Sequence, residues 1–186
     1  MIDLNQDQGT LSEWWTLRGR PANPYLHDAE GMLDELVNDL ERLSYHYCFI
    51  DGPPYEQDLI EMSVIVSDAV LIPVKLSYFD ASTIDSIIGM CQRHQRPHAF
   101  VVNEYDGRRT FVNANNIALA MLQGRAPILS TRITYDARYR TGQIEGKTGA
   151  ELSADLTKEI DSLWTEAKQL VGITAPPLKV VGGRRG

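Results

Sequence analysis

Two short apolar runs, AVLIPV (69–74) and AFVVN (99–103), and a further strand-like run, PILSTRI (127–133), alternate with stretches of helical spacing, and this alternation restricts the fold more than any other feature. A run that is apolar throughout fits a strand buried on both faces. After the first run, Ile84, Ile87, Ile88 and Cys91 mark a helix with Asp80 or Ser82 as its cap. Residues 113–123, closed by Gly124, form the helix after the second. Leu152, Leu156, Ile160, Leu163, Ala167 and Val171 make the stripe of a long last helix that Gly172 ends. Upstream, Leu33, Leu36, Val37, Leu40 and Leu43 predict a helix over about residues 28–43, and residues 56–66 a shorter one. YHYCFID (45–51) reads as a strand stopped by Gly52-Pro53-Pro54, and Met1 to Leu4 as the stub of another. Strands and helices in this order imply an α/β fold, a parallel sheet with helices on both faces.

Ligands of such sheets bind beyond the carboxyl ends of the strands, so the residues just after each strand are the place to look for chemistry. Asp51 ends one strand ahead of a tight turn, which aims its carboxylate into the crevice above the sheet. A carboxylate there suits Mg²⁺, an ion that keeps part of its octahedral water shell. An aspartate that simply starts a turn accounts for the same residues equally well. Asp3 follows the first strand in the same way, with Gln8, Gly9 and Ser12 in the loop after it. His27, His46, His94 and His98 fall on separate elements without metal-ligand spacing and read as structural or surface residues.

With 186 residues, 43% of them hydrophobic, the chain suffices for one sizeable domain and is not disordered. Its longest apolar stretches run to about seven residues, against the roughly 20 of a membrane helix. No signal peptide is visible at the N-terminus. Cys48 and Cys91 sit in apolar surroundings; a disulfide is one reading, and buried free thiols, which suit a cytoplasmic location, are the favoured one. The net charge of −7 hides two poles: residues 1–91 carry 4 Lys and Arg against 16 Asp and Glu, residues 92–186 carry 14 against 9. Arg125, Arg132, Arg138, Arg140 and Lys147 form the basic pole. They read equally as a solvated, salt-bridged face or as a non-specific DNA contact through phosphates.

Taken together, DLNQDQGTLSEWW, YHYCFIDGPP, SDAVLIPVKLSYFD, VVNEYDGRRT and ILSTRITYDARYRTGQIEGKTGAEL resemble the ParA/MinD family of deviant P-loop ATPases, in its partition branch, over residues 1 to about 170. The resemblance implies an ATP- and Mg²⁺-binding protein that forms a nucleotide sandwich dimer. It implies non-specific DNA binding in the cytoplasm, on the bacterial nucleoid, to move plasmids, chromosomes or other cargo with a ParB-like partner. Asp51 matches the Walker B aspartate, and Asp3 the aspartate that supports Mg²⁺ and the attacking water. Asn103 falls where the family places a base-contacting residue.

The family's first strand, its K-G-G-x-G-K-[ST] loop and its first helix would precede Asp3 by roughly thirty residues. That loop cradles the phosphates, so the chain as it stands is expected to be weak or inactive as an ATPase, with a gap at the centre of its sheet. Either the N-terminal segment lies upstream of this Met1, or the chain is a non-catalytic DNA-binding or adaptor module. The tail ITAPPLKVVGGRRG is a composition shift, an appendage from about residue 173 onward, and its LKVVGGRRG part could fill the gap in cis or by swapping. GQIEGKT (142–148) comes one residue short of a phosphate loop, but the polar TYDARYR ahead of it is not a buried strand, and the resemblance implies that this stretch is a connection into the last helix.

Overall fold

A computed structural model describes residues 1–5, 8–27, 33–43, 45–76 and 81–173. In chain order its elements are β1 (Ile2–Asp3), α1 (Thr10–Leu17), α2 (Leu33–Arg42), β2 (Ile50–Asp51), α3 (Gln57–Val66) and β3 (Val70–Lys75). There follow α4 (Ala81–Arg93), β4 (His98–Tyr105), α5 (Val112–Leu122), β5 (Ile128–Thr134), α6 (Ala137–Ile144) and α7 (Ala154–Leu170). Every strand pairing is parallel, as alternating strands and helices require. Helices cover both faces, so the expected α/β architecture is what the chain adopts.

The strands fall into two sheets, β1–β2 and β3–β4–β5. In the first, Ile2 lies opposite Ile50 and Asp3 opposite Asp51. In the second, β3 and β4 keep one register from Val70 opposite His98 to Lys75 opposite Asn103, while the β4–β5 pairing shifts register twice. Each sheet has its own core. Ile72, Val74, Ile84, Ile88, Phe100, Val102 and Leu122 pack together over β3–β5, and Ile2, Leu4, Leu33 and Leu40 over β1–β2. What joins the halves is helix on helix: Val64 of α3 packs with Met90 and Cys91 of α4, with Ile60 and Ile87 beside them. Glu61 of α3 adds 2.8 Å contacts to Arg93 and to His94.

Three expectations change. The strand expected over 45–51 is reduced to Ile50 and Asp51, and Tyr45, Tyr47 and Phe49 ahead of it are exposed. An apolar run stays in a sheet only while a neighbour pairs its backbone, and among the described residues β2 has one such neighbour, β1. Cys91 is buried as expected, but Cys48, on the same unpaired stretch, is exposed. Two helices that the apolar spacing gives no hint of, α1 and α6, are present. Of the two caps expected for α4, Ser82 falls inside the helix, which starts at Ala81, and Asp80 lies outside the described residues, as do residues 28–32 of the second helix and the tail from 174.

Candidate functional site

Asp3 and Asp51 stand side by side because their strands are parallel, adjacent and in register. Their surroundings differ. Asp3 is 5% exposed and both its carboxylate oxygens are engaged. Oδ1 accepts the Asn5 N–H at 3.0 Å, while Oδ2 accepts the Ser12 N–H at 3.1 Å and the Ser12 hydroxyl at 2.9 Å. It thereby ties down the first turn of α1, where an anion is also favoured by the helix dipole. Asp51 is exposed, yet enough protein crowds its carboxyl that burial, with the charge of Asp3 second, pushes its pKa up. Gly52 leaves open space after it: a Cβ there would meet nothing within 4 Å.

Removing the Asp3 carboxylate separates a structural from a metal-supporting role. Asp3→Ala leaves the Ser12 and Asn5 donors without their acceptor, and the expected cost is about 2–3 kcal/mol. A urea titration without Mg²⁺ measures it. A cost that appears only with Mg²⁺ present would assign Asp3 to the ion instead.

Asn103 lies at the carboxyl end of β4 and lines a cleft of about 320 Å³ with Glu104, Thr134, Tyr135, Tyr139 and Arg140. Its Oδ1 accepts the Glu104 N–H at 2.9 Å. Glu104 itself has φ 51°, in the left-handed region, and is held by Lys75 at 2.9 Å. Tyr139 donates to Glu159 of α7 at 2.6 Å, and Arg140 covers the Tyr135 ring at 5.4 Å. A planar aromatic ligand fits such a mixture of tyrosine faces, amide and guanidinium. Sequence reading pointed to Asn103 but missed Tyr135 and Tyr139. The one available signal was Asp136, which caps α6 by accepting the Arg138 N–H at 2.8 Å.

The two regions are tied together through α1. Trp14 donates to the Lys147 carbonyl at 3.3 Å, and Arg18 donates to the Gly146 carbonyl at 2.9 Å and grips both oxygens of Glu151 at 2.7 Å. Residues 142–148 therefore link α6 to α7 against the end of α1. They follow a helix, not a strand, and Gly142 itself is inside α6.

The basic residues are scattered among partners. Arg125 pairs with Asp85 at 3.0 Å, and Lys147 with Glu145 at 2.6 Å. Arg138 pairs with Asp136 at 2.6 Å and with Asp155 at 2.8 Å. Arg132 lies 4.6 Å from the centre of the Tyr105 ring, and Arg140 stacks as above. Among the described residues no group of three or more His, Cys, Asp or Glu side chains converges as for a metal. None of the helices there is long and apolar enough to cross a membrane.

No family model and no curated protein matches the sequence. In fold the chain is similar to the MinD cell division protein of Aquifex aeolicus, with a TM-score of 0.62 and 19% identity, over 94% of this chain and 84% of that one.

Proposed function

We propose that the chain is a ParA/MinD-type protein for DNA segregation or cargo positioning, in which Asp51 holds Mg²⁺ partly through water beside a bound ATP. The observation that carries this reading is the pairing of Asp3 with Asp51 at the carboxyl ends of adjacent parallel strands, in a fold like that of a MinD cell division protein. A carboxyl destabilised as an anion by burial and by a second carboxylate gains from a divalent cation. The donor set fits a hard ion on one side, since Asp3 is already saturated by Ser12 and Asn5. Bound ATP would supply the phosphoryl group. This chain's part is to orient water at Asp51, to hold α1 through Asp3, and to take the base in the cleft beside Asn103. Homodimerisation, a ParB-like partner and a cytoplasmic, nucleoid-bound location belong to the same reading, with weak or absent turnover in these 186 residues.

The proposed DNA contacts are Arg125, Arg132, Arg138, Arg140 and Lys147. Arg132 and Arg140 carry no carboxylate partner among the described residues, whereas the other three must first give up an ion pair. A non-catalytic DNA-binding or adaptor module is the second reading, favoured by the purely structural hydrogen bonding of Asp3.

Calorimetric titration of Mg²⁺, with and without ATP, into the chain and into Asp51→Ala tests the proposal. Binding is expected in the parent and weakened at least about tenfold in the variant. The pH dependence has a definite sign. Because the folded pKa of Asp51 is raised, its neutral form favours the fold below the ordinary carboxylate range, and that contribution is lost as pH rises through the raised value. Mg²⁺ needs the anion, so binding should fade on acidification at a higher pH than for an ordinary aspartate. Equal Mg²⁺ affinity in the two proteins would sink the Asp51 assignment and leave the adaptor reading.

A further inference from the structure

Three guanidinium groups lie over aromatic rings at the carboxyl end of the larger sheet. Arg132 stands 4.6 Å from the centre of the Tyr105 ring, Arg108 5.2 Å from that of Phe111 and Arg140 5.4 Å from that of Tyr135. The three pairs are neighbours. The Tyr135 N–H donates to the Tyr105 carbonyl at 3.0 Å, which holds the ends of β4 and β5 together. Gly107 approaches the Tyr105 ring so closely that a Cβ on it would lie 3.3 Å from Cε1, and Arg108 is within electrostatic range of the Tyr135 phenol. Tyr135 and Phe111 are 50% and 43% exposed, and Arg108, Arg109, Arg132 and Arg140 are exposed beside them. The acids nearby are already engaged. Lys75 holds Glu104, Arg108 holds Asp106, and Arg138 holds both Asp136 and Asp155. Glu159 accepts the Tyr139 and Thr134 hydroxyls at 2.6 Å. Arg109, Arg132 and Arg140 have no carboxylate partner among the described residues, so three guanidinium groups remain for an anionic ligand.

We propose that this surface binds single-stranded nucleic acid, with bases stacked on Tyr135 and Phe111 and phosphates held by Arg109, Arg132 and Arg140. The inference rests on the DNA contacts of the proposed function and narrows them to one form of the polymer. Phosphates alone call for cations and nothing more, and a duplex keeps its base faces stacked on one another. Exposed rings among the cations gain a partner only where the bases are unstacked, as in a single strand. The stacked guanidinium groups serve both needs. One that lies flat over a ring offers its outer face to a base and its edge N–H groups to a phosphate. Sequence preference should be slight, because every base has a face to stack.

Fluorescence anisotropy on the full chain tests this with three labelled probes of about 20 nucleotides: oligo-dT, oligo-U and a DNA duplex of mixed sequence. At least one of the two single strands should bind about tenfold more tightly than the duplex, and the comparison of oligo-dT with oligo-U assigns the site to DNA or RNA. Tyr135→Leu and Phe111→Leu keep apolar bulk and remove the ring, and each should weaken strand binding by at least about fivefold. Tyr135→Phe keeps the ring and should retain the parent affinity. Arg132→Ala and Arg140→Ala should each make the salt dependence shallower. Urea midpoints establish that the variants are folded. Duplex binding as tight as single-strand binding overturns this proposal while the phosphate contacts of the proposed function stand. No binding to any of the three probes overturns both. Strand affinity unchanged in the two leucine variants removes the stacking surface even where a strand binds.

Discussion

Gly146→Ala is expected to lower the unfolding free energy by at least about 3 kcal/mol, more than any surface methyl should cost. Gly146 has φ 66°, and a Cβ built on it would lie 2.5 Å from the Arg18 nitrogen and 2.7 Å from the Leu17 carbonyl carbon. Both are backbone atoms, so no rotamer change relieves the clash. The end of α1 has to move, and with it go the Arg18 bonds to Gly146 and Glu151 and the Trp14 bond to Lys147. The Arg18 hydrogen bond chiefly holds the Glu151 carboxyl down to about 2, so the pair is ionised at neutral pH. Its folded value is depressed, so its contribution is present above the ordinary carboxylate range and lost as pH falls towards about 2. Gly124→Ala is the matched control. Its φ is 82°, but a Cβ there meets nothing within 4 Å, and about 1 kcal/mol is expected from backbone conformation alone. Urea midpoints measure both. If the two substitutions cost the same, the close approach of α1 to residue 146 is not present.

That glycine also shows where sequence reading stops. GQIEGKT attracts attention as a near phosphate loop, yet its second glycine is needed because another backbone segment, 128 residues away in sequence, passes against it. Spacing cannot reveal such a neighbour. The same holds for Arg125, whose partner Asp85 is 40 positions away, and for Arg138, whose second partner Asp155 is 17 away. The strands β3 and β4 were legible because each is an apolar run that supplies core residues, and α4 and α5 because their stripes pack on those strands. α1 and α6 were not, since TLSEWWTL and ARYRTGQI are short, mostly uncovered and held by contacts at their ends. At the site, the aspartates could be read off the strand ends. Their unequal roles could not, because Ser12 reaches Asp3 only once α1 forms.

Phe100→Ala should cost about 3–5 kcal/mol and act first on the half of the molecule that carries the cleft. Phe100 is fully buried in β4, the middle strand of the larger sheet, and packs with Ile72, Val74, Ile84, Ile88 and Leu122. No side chain from β1, β2 or α2 belongs to that cluster. The buried apolar contact between the halves runs through α3 and α4, at Val64, Met90 and Cys91, and the α1 and Trp164 contacts lie away from Phe100, so a cavity there loosens β3–β5 before it reaches Ile2 and Leu4. Amide exchange reads this directly. Protection should fall most in β3, β4 and β5, and less at β1 and α2. The consequence for function follows from position. Asn103 and Glu104 are the last residues of β4 before Tyr105, so a loosened β4 blurs the cleft while the Asp3–Asp51 pairing, on the other sheet, persists. Mg²⁺ affinity that survives in Phe100→Ala beside weakened ATP binding would match this division. Loss of both together, with uniform exchange, would mean that the two sheets unfold as one unit.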